Sequence, residues 1–361
     1  MPDATFGHSE PFFLLEDEPC ALLAVSGVRS AMGLEESRLI NGDIWFLAGL
    51  PMEVPTELQG WLQQKPILQW QDRQMCFALK GKSASNDDEE LKQMEDRLRK
   101  LWFSLQLLGV PQQGPHWVLW RQAGGQWEVR SDDSFRCWRA GPWQINRDAL
   151  IRAAILTRSL DKVFASSKYA RLKLGIHALW NALREGYLNF RLHHFVQALD
   201  GLTMAWRGDG FAQKAELFTT GGIQRRWLKE MYSIRSKCEH CAEWTASLSG
   251  GKVQRQRRAE LRLWQVQNLA LYAYCRVLSD KRLLAHFRTD STIEAFWKLP
   301  AAVQRKIWGA PLDLSRFAYK TDSGTEYLAV TGNNPSSIHS HLCLDELLKR
   351  YSRYREKEQE A

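Results

Sequence analysis

The sequence contains no apolar run that approaches the roughly 20 residues needed to cross a bilayer. Its first residues, 1–8, also lack the basic stretch and apolar core that mark a secretory signal. The 7 cysteines are odd in number and scattered along the chain, which argues against a disulfide framework and fits a reducing compartment. We therefore expect a cytoplasmic protein that does not associate with a membrane.

Motifs for cofactors and metals are absent or incomplete. The segment Gly81-Lys82-Ser83 resembles the end of a phosphate-binding loop, but Cys76 occupies the position at which that loop requires a glycine. Cys238 and Cys241 have the spacing of two zinc ligands, yet a structural zinc site needs two further ligands and the chain has no second pair of this kind. We expect no cofactor and no metal; a zinc-stabilised interaction protein is the alternative that metal analysis would reveal.

Charge is divided unevenly along a chain of 361 residues, which is long enough for two domains. Residues 1–147 carry 15 Lys and Arg against 20 Asp and Glu, whereas residues 148–361 carry 34 against 21. The first part is therefore acidic by 5 charges and the second is basic by 13. Because a basic field attracts polyanions, the second part is the candidate for binding RNA.

The pattern of apolar residues predicts an α+β protein. Short strand-like runs, a helix and a Gly-Gly hairpin predict a mixed α/β domain over residues 1–145. From residue 146 onwards, apolar residues repeat at helical spacing in successive segments, which predicts an all-α bundle over 146–312. The remaining residues, 313–361, form a C-terminal extension with a less regular pattern.

Arg235 and His240 are the most informative pair of residues in the basic part of the chain. An arginine keeps its charge at physiological pH and matches phosphate oxygens, while a histidine gives and takes a proton near neutrality. Together they supply what phosphodiester cleavage needs without a metal. The spacing alone is not specific, because a similar one separates Arg171 from His177, inside a helix whose apolar stripe serves the core.

Helical geometry places a constraint on this pair. On an α-helix five positions turn through about 500°, which leaves the side chains of Arg235 and His240 about 140° apart. A second copy of the chain, related by two-fold symmetry, would bring two such segments together. The competing interpretation is structural: Arg235 forms a salt bridge with Asp200 or Glu239, and His240 packs inside the bundle. The two histidines at 193–194 are predicted to be satisfied core or interface residues.

Two motifs follow one another in the basic part of the chain. The first is Ala198-Leu-Asp-Gly-Leu202, and the second is Tyr232-Ser-Ile-Arg-Ser-Lys-Cys-Glu-His240. Their order and spacing resemble the ApeA-like branch of the HEPN superfamily, over about residues 148–310. Two positions differ from the family pattern: Asp200 replaces the usual Glu, and Cys241 stands where the family often has Gly.

The resemblance implies a HEPN-like helical bundle that forms a homodimer and cleaves RNA without a metal, in phage defence by abortive infection or as a toxin. It makes Arg235 and His240 the catalytic pair. For this pair we predict a mechanism whose product carries a cyclic phosphate. Because some members bind without cleaving, the alternative is a non-catalytic module that binds RNA or nucleotides. The supporting residues are Ser236, Asp200, Tyr232 and Lys237, with Asp200 orienting Arg235 or His240.

The domain over residues 1–145 belongs to no motif that assigns it a role. Its acidic balance argues against a nucleic-acid surface and suggests a sensing or regulatory part. We expect it to receive a protein trigger or inhibitor of the helical domain.

Overall fold

The chain divides into two compact units, Met1–Arg158 and Ser159–Ala361. The division falls inside the helix Arg147–Ala165, which begins at the predicted junction. Strands are concentrated in the first unit and helices in the second, so the protein is α+β. The computed structural model describes residues 19–25, 28–30, 38–39, 44–47, 75–81, 88–108, 117–121, 127–131, 143–145, 147–220, 224–320 and 326–328.

The first unit is built on an antiparallel sheet of six strands in the order β3-β4-β5-β1-β6-β7. The two remaining strands, β2 and β8, form a separate parallel pair. The predicted pairing of the strands on either side of Gly124-Gly125 is confirmed, since β6 pairs with β7, while the turn itself lies outside the described residues. The strands are β1 (Cys20–Val25), β2 (Val28–Ser30), β3 (Arg38–Leu39), β4 (Ile44–Leu47), β5 (Met75–Lys80), β6 (Trp117–Arg121), β7 (Trp127–Ser131) and β8 (Trp143–Ile145).

Strand β1 is the centre of this unit. Successive side chains of a strand point to opposite faces, and the residues from Cys20 to Leu23 are all fully buried, so both faces of β1 are covered. The helix α1 (Asp88–Leu107) packs against β1 and β5. Its first buried residues, Leu91, Met94 and Leu98, recur at helical spacing, and every residue over 101–107 is buried.

The second unit is helical, as predicted for most of residues 146–312. Its longest helix, α7, is the central one, because residues 265–278 are buried without exception. The helices are α2 (Arg147–Ala165), which begins in the first unit, α3 (Ala170–Arg184), α4 (Leu188–Thr203), α5 (Gly208–Ala215), α6 (Gln224–Glu239), α7 (Lys252–Ser279), α8 (Lys281–His286), α9 (Asp290–Lys298) and α10 (Ala301–Trp308).

A close approach of three helices fixes the position of α4. The hydroxyl of Tyr274 on α7 donates a hydrogen bond of 2.6 Å to the carbonyl of Ala198 on α4. The same hydroxyl lies where a side chain on Gly175 of α3 would be, since a Cβ built there meets the Tyr274 oxygen at 1.8 Å. Glycine is therefore required at this crossing for steric reasons, and it allows α3, α4 and α7 to pack tightly.

The C-terminal end of α4 is also held by side chains from other helices. Lys214 donates a hydrogen bond of 2.8 Å to the carbonyl of Thr203, and the indole of Trp297 donates one of 3.0 Å to the carbonyl of Leu202. These bonds satisfy carbonyls that a helix end leaves without an internal partner. The last turn of α4, which carries Asp200, is thus a rigid element.

The predicted C-terminal extension, 313–361, is described only in part. A short hairpin of β9 (Ala318–Lys320) and β10 (Glu326–Leu328) lies against α7. The rest of the extension, from residue 329, lies outside the described residues. Among the helices that the structure describes, none is long and apolar enough to cross a membrane.

Candidate functional site

Helix α6 positions the candidate residues through its apolar stripe. Trp227, Leu228, Met231 and Ile234 recur at helical spacing and are buried where α6 packs against α4 and α7. Arg235 follows Ile234 directly and therefore lies at the edge of this buried face, next to α4.

Arg235 is held by groups from two helices. Its Nη1 donates to Oδ2 of Asp200 on α4, and its Nη2 donates to Oε1 of Glu239 at 2.8 Å. The guanidinium also lies 5.1 Å from the ring centroid of Tyr232, one turn earlier on α6. The side chains of Arg235 and Asp200 are only 15% and 16% exposed. The structural interpretation of Arg235 as a salt-bridged residue is confirmed, with both Asp200 and Glu239 as its partners.

Burial raises the pKa of Asp200 to about 6, although the charge of Arg235 and a hydrogen bond from Thr203 act in the opposite direction. Removing the carboxylate from water therefore outweighs the attraction of its partner. The carboxylate is mostly ionised at pH 7 and becomes neutral on mild acidification. The strength of the Arg235 contact is consequently sensitive to pH just below neutrality.

Two nitrogens at this contact have no hydrogen-bond partner within the described residues. They are Nε of Arg235 and Nδ1 of His193, and both atoms are buried. His193 precedes Asp200 by seven positions on the same helix, and burial lowers its pKa, with neighbouring His194 as the second cause. The ring of His193 also has a hydrogen bond with the backbone of Arg235, so Nδ1 is the ring nitrogen that lacks a partner among the described residues. His194 does contact a partner, since its Nδ1 lies 3.2 Å from Oε1 of Gln197.

His240 lies just beyond the end of α6 and is exposed. Its backbone N–H donates to the carbonyl of Ser236 at 3.2 Å, so the helical path continues to this residue. The alternative in which His240 packs inside the bundle is wrong, because the residue is exposed at the end of the helix. In the part of the chain that the structure describes, the imidazole forms no hydrogen bond with Arg235. Of the remaining predicted residues, Ser236 and Lys237 are half-buried between the two.

Cys241 ends the helix in a left-handed conformation, with φ of 52°. This is the conformation that favours glycine at a helix C-terminus. The position at which the HEPN pattern often has Gly therefore adopts the backbone geometry that glycine allows most easily.

The other sequence candidates have structural surroundings. Arg171 forms a bidentate pair with Asp290, with N–O distances of 2.8 and 2.9 Å, and His177 is exposed on α3. The thiol of Cys238 donates to the carbonyl of Asn189 at 3.6 Å, and burial raises its pKa to about 11. Among the described residues no group of three or more His, Cys, Asp and Glu side chains is placed to hold a metal ion.

An exposed aromatic surface lies beside this end of α6 and was not predicted from the sequence. Tyr187 and Phe190, at the start of α4, are 73% and 45% exposed, and their rings are 6.4 Å apart. The bond from Cys238 to Asn189 places them near the helix end that carries His240. The sequence feature that could have indicated this surface is the pair Tyr187 and Phe190, which comes soon after Gly186 and lies outside the apolar stripe of α4.

Family models, curated proteins and solved structures gave no match to this chain. Function is therefore inferred from the residues of this chain.

Proposed function

We propose that the protein is a metal-independent endoribonuclease of HEPN type, with Arg235 and His240 as its catalytic pair. The observation that carries the proposal is an oriented guanidinium on the last turns of α6 and an exposed imidazole just beyond its end. They belong to the part of the chain with an excess of 13 positive charges, which favours approach of RNA.

In this mechanism His240 removes the proton of the ribose 2′-OH or protonates the leaving 5′ oxygen. The 2′ oxygen attacks phosphorus, the bond to the 5′ oxygen breaks, and the product keeps a 2′,3′-cyclic phosphate. Arg235 stabilises the negative charge that develops on the phosphoryl oxygens. Asp200 and the ring of Tyr232 hold the guanidinium in place, while Lys237 adds positive charge and Ser236 a hydroxyl nearby.

A second copy of the chain completes the site. Arg235 is directed towards α4, whereas His240 is exposed at the helix end, so the pair within one copy does not converge on one phosphate. A two-fold axis near this helix end brings the Arg235 of one copy and the His240 of the other into one groove. The exposed rings of Tyr187 and Phe190 provide apolar area for such a contact.

The biological role that fits such an activity is that of an abortive-infection effector or a toxin acting on RNA in the cytoplasm. A nuclease of this kind has to be restrained until it is needed. We assign that control to the acidic N-terminal unit, as the part that receives a protein trigger or inhibitor.

The test is incubation of the full chain with total RNA in the presence of EDTA, beside Arg235→Ala and His240→Ala. We expect fragments that end in a cyclic phosphate, and a loss of about 100-fold or more in the variant without His240. His177→Ala is the matched control, because it removes another exposed histidine of the same unit. Loss of activity with EDTA, or full activity in both variants, would overturn the mechanism.

A non-catalytic module that binds RNA or nucleotides is the second candidate. It is favoured by the two carboxylates that engage Arg235 and by the absence, among the described residues, of a hydrogen bond between Arg235 and His240. Binding of RNA without any cleavage, in the same experiment, would select this candidate.

A further inference from the structure

A cavity of about 660 Å³ lies between the segment after His240 and the first turns of α7. Its volume falls within the roughly 300–1,000 Å³ of pockets that hold small ligands. The segment that forms one wall is fastened to α6, since the N–H of Ala242 donates to the carbonyl of Lys237 at 2.9 Å. The cavity therefore has a fixed connection to the helix end that carries the proposed catalytic histidine.

We propose that this cavity binds one base of a single-stranded RNA, with Trp244 as the stacking surface. This inference rests on the proposed ribonuclease function and names the element that selects its substrate. Trp244 comes four residues after His240 and is half-buried, so its indole forms part of the cavity wall. A half-covered aromatic ring accepts any base by stacking, which is how proteins commonly hold unpaired nucleotides.

The charges around the cavity match a nucleotide. Lys252 and Arg257 are exposed cations on its rim and attract the flanking phosphates. The carboxylate of Glu243 accepts from the hydroxyl of Thr245 at 2.6 Å, so part of its charge is already satisfied. Lys252 and Arg257 thus supply cations for an anionic chain at the rim, beside the two carboxylates of Glu243 and Glu260.

Glu260 supplies an acceptor for the edge of the base. Its Oε1 accepts from Gln256 at 2.9 Å, and Oε2 is a second acceptor of the same carboxylate. A carboxylate oxygen accepts N–H groups of a base, which gives the cavity a preference among bases that stacking does not. In this proposal Trp244 stacks on the base, Lys252 and Arg257 attract the phosphates, and Glu260 selects among bases.

The experiment measures binding of a short fluorescein-labelled single-stranded RNA by anisotropy, in the full chain with His240→Ala so that the probe stays intact. Adding Trp244→Ala weakens binding by roughly 5- to 100-fold, and Trp244→Phe keeps most of the affinity because it keeps a ring. Trp206→Ala is the matched control, since Trp206 is 90% exposed elsewhere in the unit, and it leaves binding unchanged.

Two further variants separate the roles. Replacing both Lys252 and Arg257 by Ala weakens binding and lowers its dependence on salt. Glu260→Gln changes the order of affinities among homopolymeric RNAs without abolishing binding. Competition by inorganic polyphosphate as effective as that of RNA would show a site for phosphate only and overturn the stacking role.

The outcomes distinguish this inference from the ribonuclease proposal. If the wild type cleaves RNA and Trp244→Ala does not change binding, the proposed role of the cavity is overturned and the ribonuclease proposal is retained. Binding that depends on Trp244, without cleavage by the wild type, supports the cavity and overturns the ribonuclease. Absence of RNA binding by the full chain overturns the cavity as an RNA site.

Discussion

Replacing Asp200 by Asn changes the charge at the Arg235 contact and keeps the shape of the side chain. Burial raises the pKa of Asp200 to about 6 from its ordinary 3.8, so the folded protein binds a proton at this carboxyl more tightly than the unfolded chain. Asn cannot ionise. The difference in stability between wild type and Asp200→Asn therefore reports the ionisation of this one group.

The raised pKa of Asp200 determines whether stability rises or falls with pH. A carboxyl whose pKa is raised on folding contributes stability that is fully present below about pH 4 and is lost as the pH rises through about 6. The difference between the folded and unfolded pKa values corresponds to about 3 kcal/mol of unfolding free energy. We expect the free energy of unfolding of the wild type, relative to Asp200→Asn, to fall by up to this amount between about pH 4 and about pH 7.

Urea unfolding of both proteins at several pH values measures this difference. Asp209→Asn is the matched control, because Asp209 is exposed and paired with Lys229 at 2.7 Å, which lowers its pKa. The contribution of Asp209 to stability has the opposite dependence on pH, since it is present above the unfolded pKa and lost on acidification. A difference for Asp200→Asn that is flat, or that grows with pH, would show that the attraction of Arg235 outweighs burial.

Two other substitutions test the packing and the charge around the site. Gly175→Ala destabilises the protein by about 1–3 kcal/mol in urea unfolding, because the added methyl meets the hydroxyl of Tyr274, and Tyr274→Phe reduces this cost when combined with it. Equal costs with and without Tyr274→Phe would contradict the clash. Glu239→Gln raises the affinity for labelled RNA by about 2- to 5-fold in the His240→Ala background, because it removes a half-exposed carboxylate beside Arg235. Unchanged affinity would place the RNA elsewhere.

The helices were predictable because the sequence pattern that indicates a helix lies within the helix itself and its flanking residues. Apolar residues at helical spacing, together with the acids before α1 and the glycines between helices, indicated most segments close to their observed bounds. The order of strands was not predictable, because β1 lies between β5 and β6, which are distant in sequence. Such pairing depends on contacts across the whole unit and leaves no local pattern.

The candidate site was predictable in its residues and only partly in its geometry. The ion pair of Arg235 with Asp200 was among the predicted alternatives, because both residues stood in motifs of recognisable order. The cavity beside Trp244 was not predicted, since Trp244 lies in a turn where apolar periodicity carries no information. The contact of His193 with the backbone of Arg235 was not predictable for a similar reason, because it results from the packing of α4 against α6.

The ion pair of Arg235 with Asp200 is compatible with a catalytic role. An arginine has more N–H donors than two carboxylates occupy, and Nε of Arg235 has no partner in the described residues. Asp200 is 16% exposed and Glu239 is 39% exposed, so an arriving phosphate displaces Glu239 more easily. In the proposed mechanism Asp200 then remains as the buried anchor that keeps the guanidinium oriented, which lowers the entropic cost of binding the transition state. A purely structural ion pair does not need the second, exposed carboxylate of Glu239. The effect of Glu239→Gln on the affinity for RNA therefore tests whether a phosphate takes the place of this carboxylate.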